Sequence, residues 1–163
     1  MTILGLDPGI ARLGWGVVAQ HASRTGNPVV YFGVIETDRK TPTTERMQTI
    51  RNEILKLLKK FKPDAVAVEK LFFSKNVKTA MQISEIRGII LLTIAEAHVA
   101  FVEYTPQIVK QAVTGYGNAD KRQVQRMVQT ILKLRELPKP DDAADALALA
   151  ICASHTLRHP LHV

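Results

Sequence analysis

Four carboxylates stand where the surrounding residues give them chemical use. Asp7 closes the apolar run Ile3-Leu4-Gly5-Leu6 and is followed by Pro8-Gly9, while Glu69 closes a second run, Ala65-Val66-Ala67-Val68. A carboxylate at the end of a central strand points into the crevice where α/β sheets bind ligands, and Gly9 allows a ligand close to the backbone. Asp142 and Asp145 are three residues apart, so on a helix they share a face. Around them Ala143, Ala144, Ala146, Ala148 and Ala150 are small enough to let that helix lie against a sheet and carry its acids to Asp7 and Glu69. Four acids gathered in this way repel one another unless a cation sits between them. Hard oxygen ligands with open positions suit Mg²⁺ or Mn²⁺. Two such ions roughly 4 Å apart can activate a water and stabilise the leaving oxygen of a phosphodiester.

Each acid also has a plainer use. Asp7 before Pro-Gly can make a turn, and Glu69 can be an ordinary surface residue. Asp141 and Asp142 can be a helix N-cap and a favourable first-turn charge; the capping role is assigned mainly to Asp141, placed facing away from Asp145. Asp145 resists such a reading because it interrupts an Ala/Leu stripe that otherwise looks buried. Taken as a set, at two strand ends and on a small-residue helix, the four favour a metal site.

The elements that must position these acids follow from periodicity. Thr2–Leu6, Leu13–Ala19 and Pro28–Glu36 read as strands of an antiparallel meander, with Gly26-Asn27-Pro28 as a turn. Residues 43–61 carry Met47, Ile50, Ile54, Leu57, Leu58 and Phe61 at helical spacing. Thr43 or Thr44 is the expected cap of this helix, and Lys62-Pro63 its stop. Residues 64–69 form an unbroken Ala-Val run typical of the middle of a sheet. Residues 76–98 form a long helix, apolar around much of its circumference through Met81, Ile83, Ile86, Ile89, Ile90, Leu91, Leu92 and Ile94. One sheet cannot cover so much of a helix, so a homodimer through this element is expected. A strand over 100–104 follows, then helices over 105–113, 120–134 and 141–157. The order predicts an α/β fold with a mixed five-stranded sheet flanked by helices. Residues 1–157 are expected to form a single domain and residues 158–163 a short flexible tail.

At 163 residues the chain can bury roughly 70% of its unfolded surface. Its 22 Lys and Arg against 15 Asp and Glu leave a net charge of +7, which points to a polyanionic partner. No apolar stretch is long enough for a membrane span. No signal peptide is visible, and the lone Cys152 suits a reducing compartment; a cytoplasmic location is expected. The positive charge is clustered. Between residues 107 and 139 stand Lys110, Lys121, Arg122, Arg126, Lys133, Arg135 and Lys139 against Asp120 and Glu136 alone, so this stretch carries +5 of the total. Such clustering favours phosphate contact, although Arg126 and Lys133 are read as solubilising a helix. Phe72 and Phe73 follow Glu69 closely, with Lys75 and Lys78 beyond. An aromatic beside a catalytic acid can wedge between bases or stack on an unpaired one. Adjacent residues point different ways, so one of the two is expected at the DNA and the other in packing.

The same residues carry a family resemblance. Ile3-Leu4-Gly5-Leu6-Asp7-Pro8-Gly9 with Gly14-Trp15-Gly16-Val17 resembles the opening of the RuvC resolvases. Glu69-Lys70-Leu71-Phe72 with Lys75-Asn76 is similar to their second acidic segment. Val109-Lys110-Gln111, Gly115-Tyr116-Gly117 and Ala119-Asp120-Lys121 resemble their basic segment, and Asp142-Ala143-Ala144-Asp145-Ala146-Leu147 their last motif. The resemblance runs over about residues 2–156. It implies a ribonuclease-H-like fold and a homodimer. It also implies Mg²⁺-dependent, symmetric nicking of two strands of a four-way junction in recombination and repair, with up to two ions per subunit and Mn²⁺ as a substitute. By motif, the catalytic and metal-binding residues are Asp7, Glu69, Asp142 and Asp145. Phe72 is the junction-contacting aromatic, and Lys110 and Lys121 lie near the scissile phosphate, with Lys75, Lys78 and Arg122 as further DNA contacts. A branch-migration motor that delivers the junction is an implied partner.

Three other functions share parts of this pattern. A ribonuclease acting on RNA–DNA hybrids would share the fold. A sugar-kinase or actin-like ATPase would share Asp-x-Gly followed by Gly-x-Gly, but those proteins use two such domains around a nucleotide. A non-catalytic junction-binding module would gain nothing from a concentrated acidic site.

Overall fold

The computed structural model describes residues 1–20, 27–70 and 77–157, the last from the backbone alone over 77–79. Its elements run β1 (Thr2–Asp7), β2 (Arg12–Ala19), β3 (Val29–Glu36), α1 (Thr43–Phe61), β4 (Ala65–Glu69), α2 (Val77–Glu96), β5 (Ala100–Tyr104), α3 (Pro106–Thr114), α4 (Lys121–Leu132) and α5 (Asp141–Thr156). The strands form one sheet in the order β3-β2-β1-β4-β5. β1, β2 and β3 make an antiparallel meander. β4 lies parallel to β1, and β5 parallel to β4. This is the mixed five-stranded sheet that the order of elements predicts.

Strand side chains alternate between the two faces, and the alternation here decides where the acids go. On β1, Leu4 and Leu6 join the core under α1 and α2, with Ile50, Ile54, Ile86, Ile90 and Ile94. Ile3 joins the opposite core, with α3, α4 and α5. Asp7 therefore falls on the α5 side. The same count on β4 sends Val66 and Val68 to the first core and Ala65 and Ala67 to the second, so Glu69 also falls on the α5 side.

α5 reaches the sheet closely because glycines face it. A Cβ on Gly5 would stand 1.9 Å from the carbonyl oxygen of Ala146, and one on Gly14 would stand 2.0 Å from that of Asp142. Together with the alanines of α5, these bare backbone positions let the helix sink against β1 and β2. Residues Ala146–Ser154 of α5 are buried without a break.

Two capping expectations are corrected. α1 begins after Pro42, with no side-chain cap. Thr43 and Thr44 already belong to the first turn, one and two residues past the capping position. α5 begins after Pro140, again with no side-chain cap, and Asp141 is its first helical residue rather than its cap. Among the described residues, side-chain caps form on Thr105, which accepts from the Ile108 N–H, and on Asp120, which makes a capping box with Gln123. The expected tail over 158–163 lies outside the described residues.

Candidate active site

Asp7 ends β1 opposite Gly14 of β2, and Glu69 ends the parallel neighbour β4. Both strands end on the same side of the sheet, and α5 brings Asp145, at the start of its second turn, over them. A cleft of about 260 Å³ opens there, lined by Asp7, Glu69 and Asp145, with Lys110 and Lys121 among its walls and Val109, Val124 and Ala148 as apolar surface. Lys110 comes from α3 and Lys121 from the start of α4.

The acids feel one another. Burial pushes the Asp7 carboxyl well above its ordinary range, and the negative charges of Asp145, Glu69 and Asp142 push it further, against the opposing pull of Lys121. Glu69 is raised by burial and then by Asp145, with Lys110 acting the other way. Asp145 is raised by burial, which prevails over the contact with Lys121. Burial alone would lower the Lys121 ammonium, but Asp145 and Asp141 outweigh it and leave the ammonium raised.

Lys121 Nζ lies 3.1 Å from Asp145 Oδ2 and 3.5 Å from Asp141 Oδ2. Asp141 therefore shares a face with Asp145 instead of facing away from it, because four residues make about one helical turn. Its carboxylate also accepts from Gln125 Nε2 at 2.9 Å. Asp142 turns to the flank of the cleft. Its Oδ2 lies 3.2 Å from Nε of Arg12, at the start of β2, yet that oxygen is buried and accepts no hydrogen bond.

The donor set fits a hard divalent cation. It consists of carboxylate oxygens that raise one another's proton affinity and includes a buried oxygen without a hydrogen-bond donor. As they lie, no three of the described His, Cys, Asp or Glu side chains are grouped to hold a common ion; Arg12 and Lys121 draw two of the acids towards themselves.

Of the basic residues singled out in the sequence, Lys110 and Lys121 line the cleft, whereas Arg122 is exposed on α4 outside it. Phe72 and Lys75 lie outside the described residues, as does the side chain of Lys78. Arg12, the second role of Asp141 and the glycine contacts of α5 were not singled out. Only Asp141, four residues before Asp145, had a signal in the spacing.

The family model of crossover junction endodeoxyribonuclease RuvC matches residues 3–153. The chain belongs to the RuvC family. The RuvC of Halothermothrix orenii is 47% identical over 158 residues, covering 97% of this chain and 94% of its own. Thermus thermophilus RuvC superposes with a TM-score of 0.87 at 38% identity, covering 97% of this chain and 96% of that one. The T. thermophilus RuvC solved in complex with a Holliday junction substrate superposes with a TM-score of 0.86 at 36% identity, with the same coverage. The fold is accordingly ribonuclease-H-like, and nucleases of this family are metal-dependent.

Proposed function

We infer that this chain is a structure-selective DNA endonuclease that resolves Holliday junctions by metal-dependent hydrolysis of phosphodiesters in recombination and repair. The observation that carries the reading to individual residues is the cleft in which Asp7, Glu69 and Asp145 crowd together beneath Lys110 and Lys121.

In this reading Asp7, Glu69, Asp142 and Asp145 hold Mg²⁺, up to two ions per subunit, with Mn²⁺ as a substitute. Bound there, the metal supplies a Lewis acid for the phosphoryl oxygens and lowers the pKa of a water. The chain's own residues do the rest. The half-buried Asp7 anchors the acidic cluster from the end of β1. Glu69, one strand away, sets the second wall. Lys110 and Lys121 accept the scissile phosphate and offset the charge that develops on it. Arg122, exposed at the start of α4, adds a backbone contact further along the strand, and Phe72, Lys75 and Lys78 extend the DNA-contacting surface.

Symmetric cutting requires two sites, which a homodimer through α2 would supply. Met81 and Leu92 of that helix are 62% and 58% exposed, a large apolar exposure for a helix whose Ile86, Ile90 and Ile94 are already buried against the sheet side. A branch-migration motor is the proposed partner that presents the junction. No described helix is long and apolar enough to cross a membrane, and the proposed place of action is the cytoplasm.

The test is nicking of a synthetic four-way junction and a matched linear duplex, with Mg²⁺ or with chelator. Paired, metal-dependent nicks confined to the junction are expected. Equal cutting of both substrates would remove junction selectivity, and preferential cutting of an RNA–DNA hybrid would move the substrate to the hybrid.

A further inference from the structure

Two of the acids are held by cations of the chain itself, and the two cations come from different sides. Lys121 reaches Asp145 from α4, inside the cleft. Arg12 reaches Asp142 from β2, on the flank. The backbone beneath Asp142 has little freedom, because α5 presses on β2 so closely that a Cβ on Gly14 would stand 2.0 Å from the Asp142 carbonyl oxygen. The Asp142 side chain points to Arg12, and Asp142 is not among the residues that line the cleft.

Asp142 Oδ2 is in an unusual state. It is buried, it lies 3.2 Å from the Arg12 guanidinium, and it accepts no hydrogen bond from it or from any other group. Arg12 thus supplies charge without a directed bond. A buried carboxylate oxygen held only in this way is incompletely compensated. Arg12 itself is half exposed, with 52% of its side chain open to solvent. It can leave for water at little cost, since pairs of this exposure contribute modestly.

We propose that Arg12 is an intramolecular competitor for the metal ion at Asp142. The guanidinium and the ion claim the same oxygen, so an ion that enters must displace Arg12, and Arg12 weakens metal binding. Arg12 touches a ligand of the ion and not the reacting atoms, so it is a positioning residue. This inference rests on the assignment of Asp142 as a metal ligand, and the test is built so that the two can fail separately.

The experiment is a Mn²⁺ titration of the full chain without DNA, read from the electron paramagnetic resonance signal of free Mn²⁺. It compares the native chain with R12Q, R12K, D142N and the double variant R12Q/D142N. R12Q is expected to bind Mn²⁺ about 2- to 5-fold more tightly, the range set by the coupling of a partly exposed ion pair. R12K is expected to keep the native affinity and D142N to weaken it. In the D142N background the Arg12 substitution is expected to have no effect. Unchanged or weaker binding by R12Q, with D142N still weakened, overturns the role of Arg12 alone. The same gain from R12Q with and without Asp142 overturns it too, by reducing it to a general charge effect. Native affinity in D142N overturns both this inference and the assignment of Asp142 to the metal.

Discussion

The two faces of the sheet are packed by opposite means. Under α1 and α2 the core is made of bulk: Leu4, Leu6 and Val68 of the strands meet Ile50, Ile54, Ile86, Ile90 and Ile94. Under α5 it is made of proximity, with Gly5 and Gly14 of the sheet meeting the alanine-rich start of the helix. Large side chains bury more apolar area and stabilise more, but they hold a helix at a distance. Small ones give up that area and bring backbone to backbone. Asp7, Glu69 and Asp145 lie on the second face, which indicates that close approach serves placement.

The largest effect that would sharpen this contrast is on the chemistry. Asp7→Asn is expected to lower junction cleavage by about 10³-fold or more, the loss of several kcal/mol of metal-assisted transition-state stabilisation, while junction binding persists in a gel-shift assay. Retained cleavage would take Asp7 out of the site. On the bulk face, Ile90→Ala is expected to lower unfolding stability by about 2–5 kcal/mol and leave the cleavage rate unchanged below the melting range, as denaturant titration and kinetics would report. On the proximity face, Gly5→Ala is expected to cost about 3 kcal/mol or more, since its Cβ would stand 1.9 Å from the Ala146 carbonyl oxygen, and also to slow cleavage, because α5 must lift away from β1 and take Asp145 with it. Equal rates in the two variants would break the division of labour.

The smallest effect is on the pH dependence of the metal-free chain. The folded Asp7 carboxyl lies above its ordinary value of 3.8 through burial and the neighbouring charges. The folded state therefore holds its proton more tightly than the unfolded state does. The stability this contributes is present below the ordinary value and is lost as pH rises through the raised folded value. Thermal melts in chelator should show the native chain losing stability with rising pH over that window, and Asp7→Asn losing less. An equal slope in both would show that Asp7 is not held in a proton-favouring environment. Glu69 and Asp145, also raised, leave a residual slope in the variant.

Much of this was legible beforehand. The strand and helix positions followed from periodicity, because burial on one face imposes a repeat of about 2 or 3.6 residues on the chain. That Asp7 and Glu69 end their strands followed from where the apolar runs stop, while the face they take is set by the two cores of the structure. What misled was local and directional. Thr43, Thr44 and Asp141 were read as caps, and a shift of one residue at a helix start separates a cap from a first-turn side chain. Placing Asp141 away from Asp145 overlooked their spacing of four. Arg12 had no signal at all, since its partner lies 130 positions along the chain.

The sequence by itself determined which residues build each element, which acids stand at strand ends and to which family the chain belongs, because periodicity, motif and order are all properties of the chain read in line. Only the tertiary structure decided which cation meets which acid. That pairing depends on how far α5 sinks against β1 and β2 and how it is turned about its axis. A helix rotates about 100° per residue, so neighbouring acids such as Asp141 and Asp142 are sent to Lys121 and Arg12 respectively by a packing contact made elsewhere.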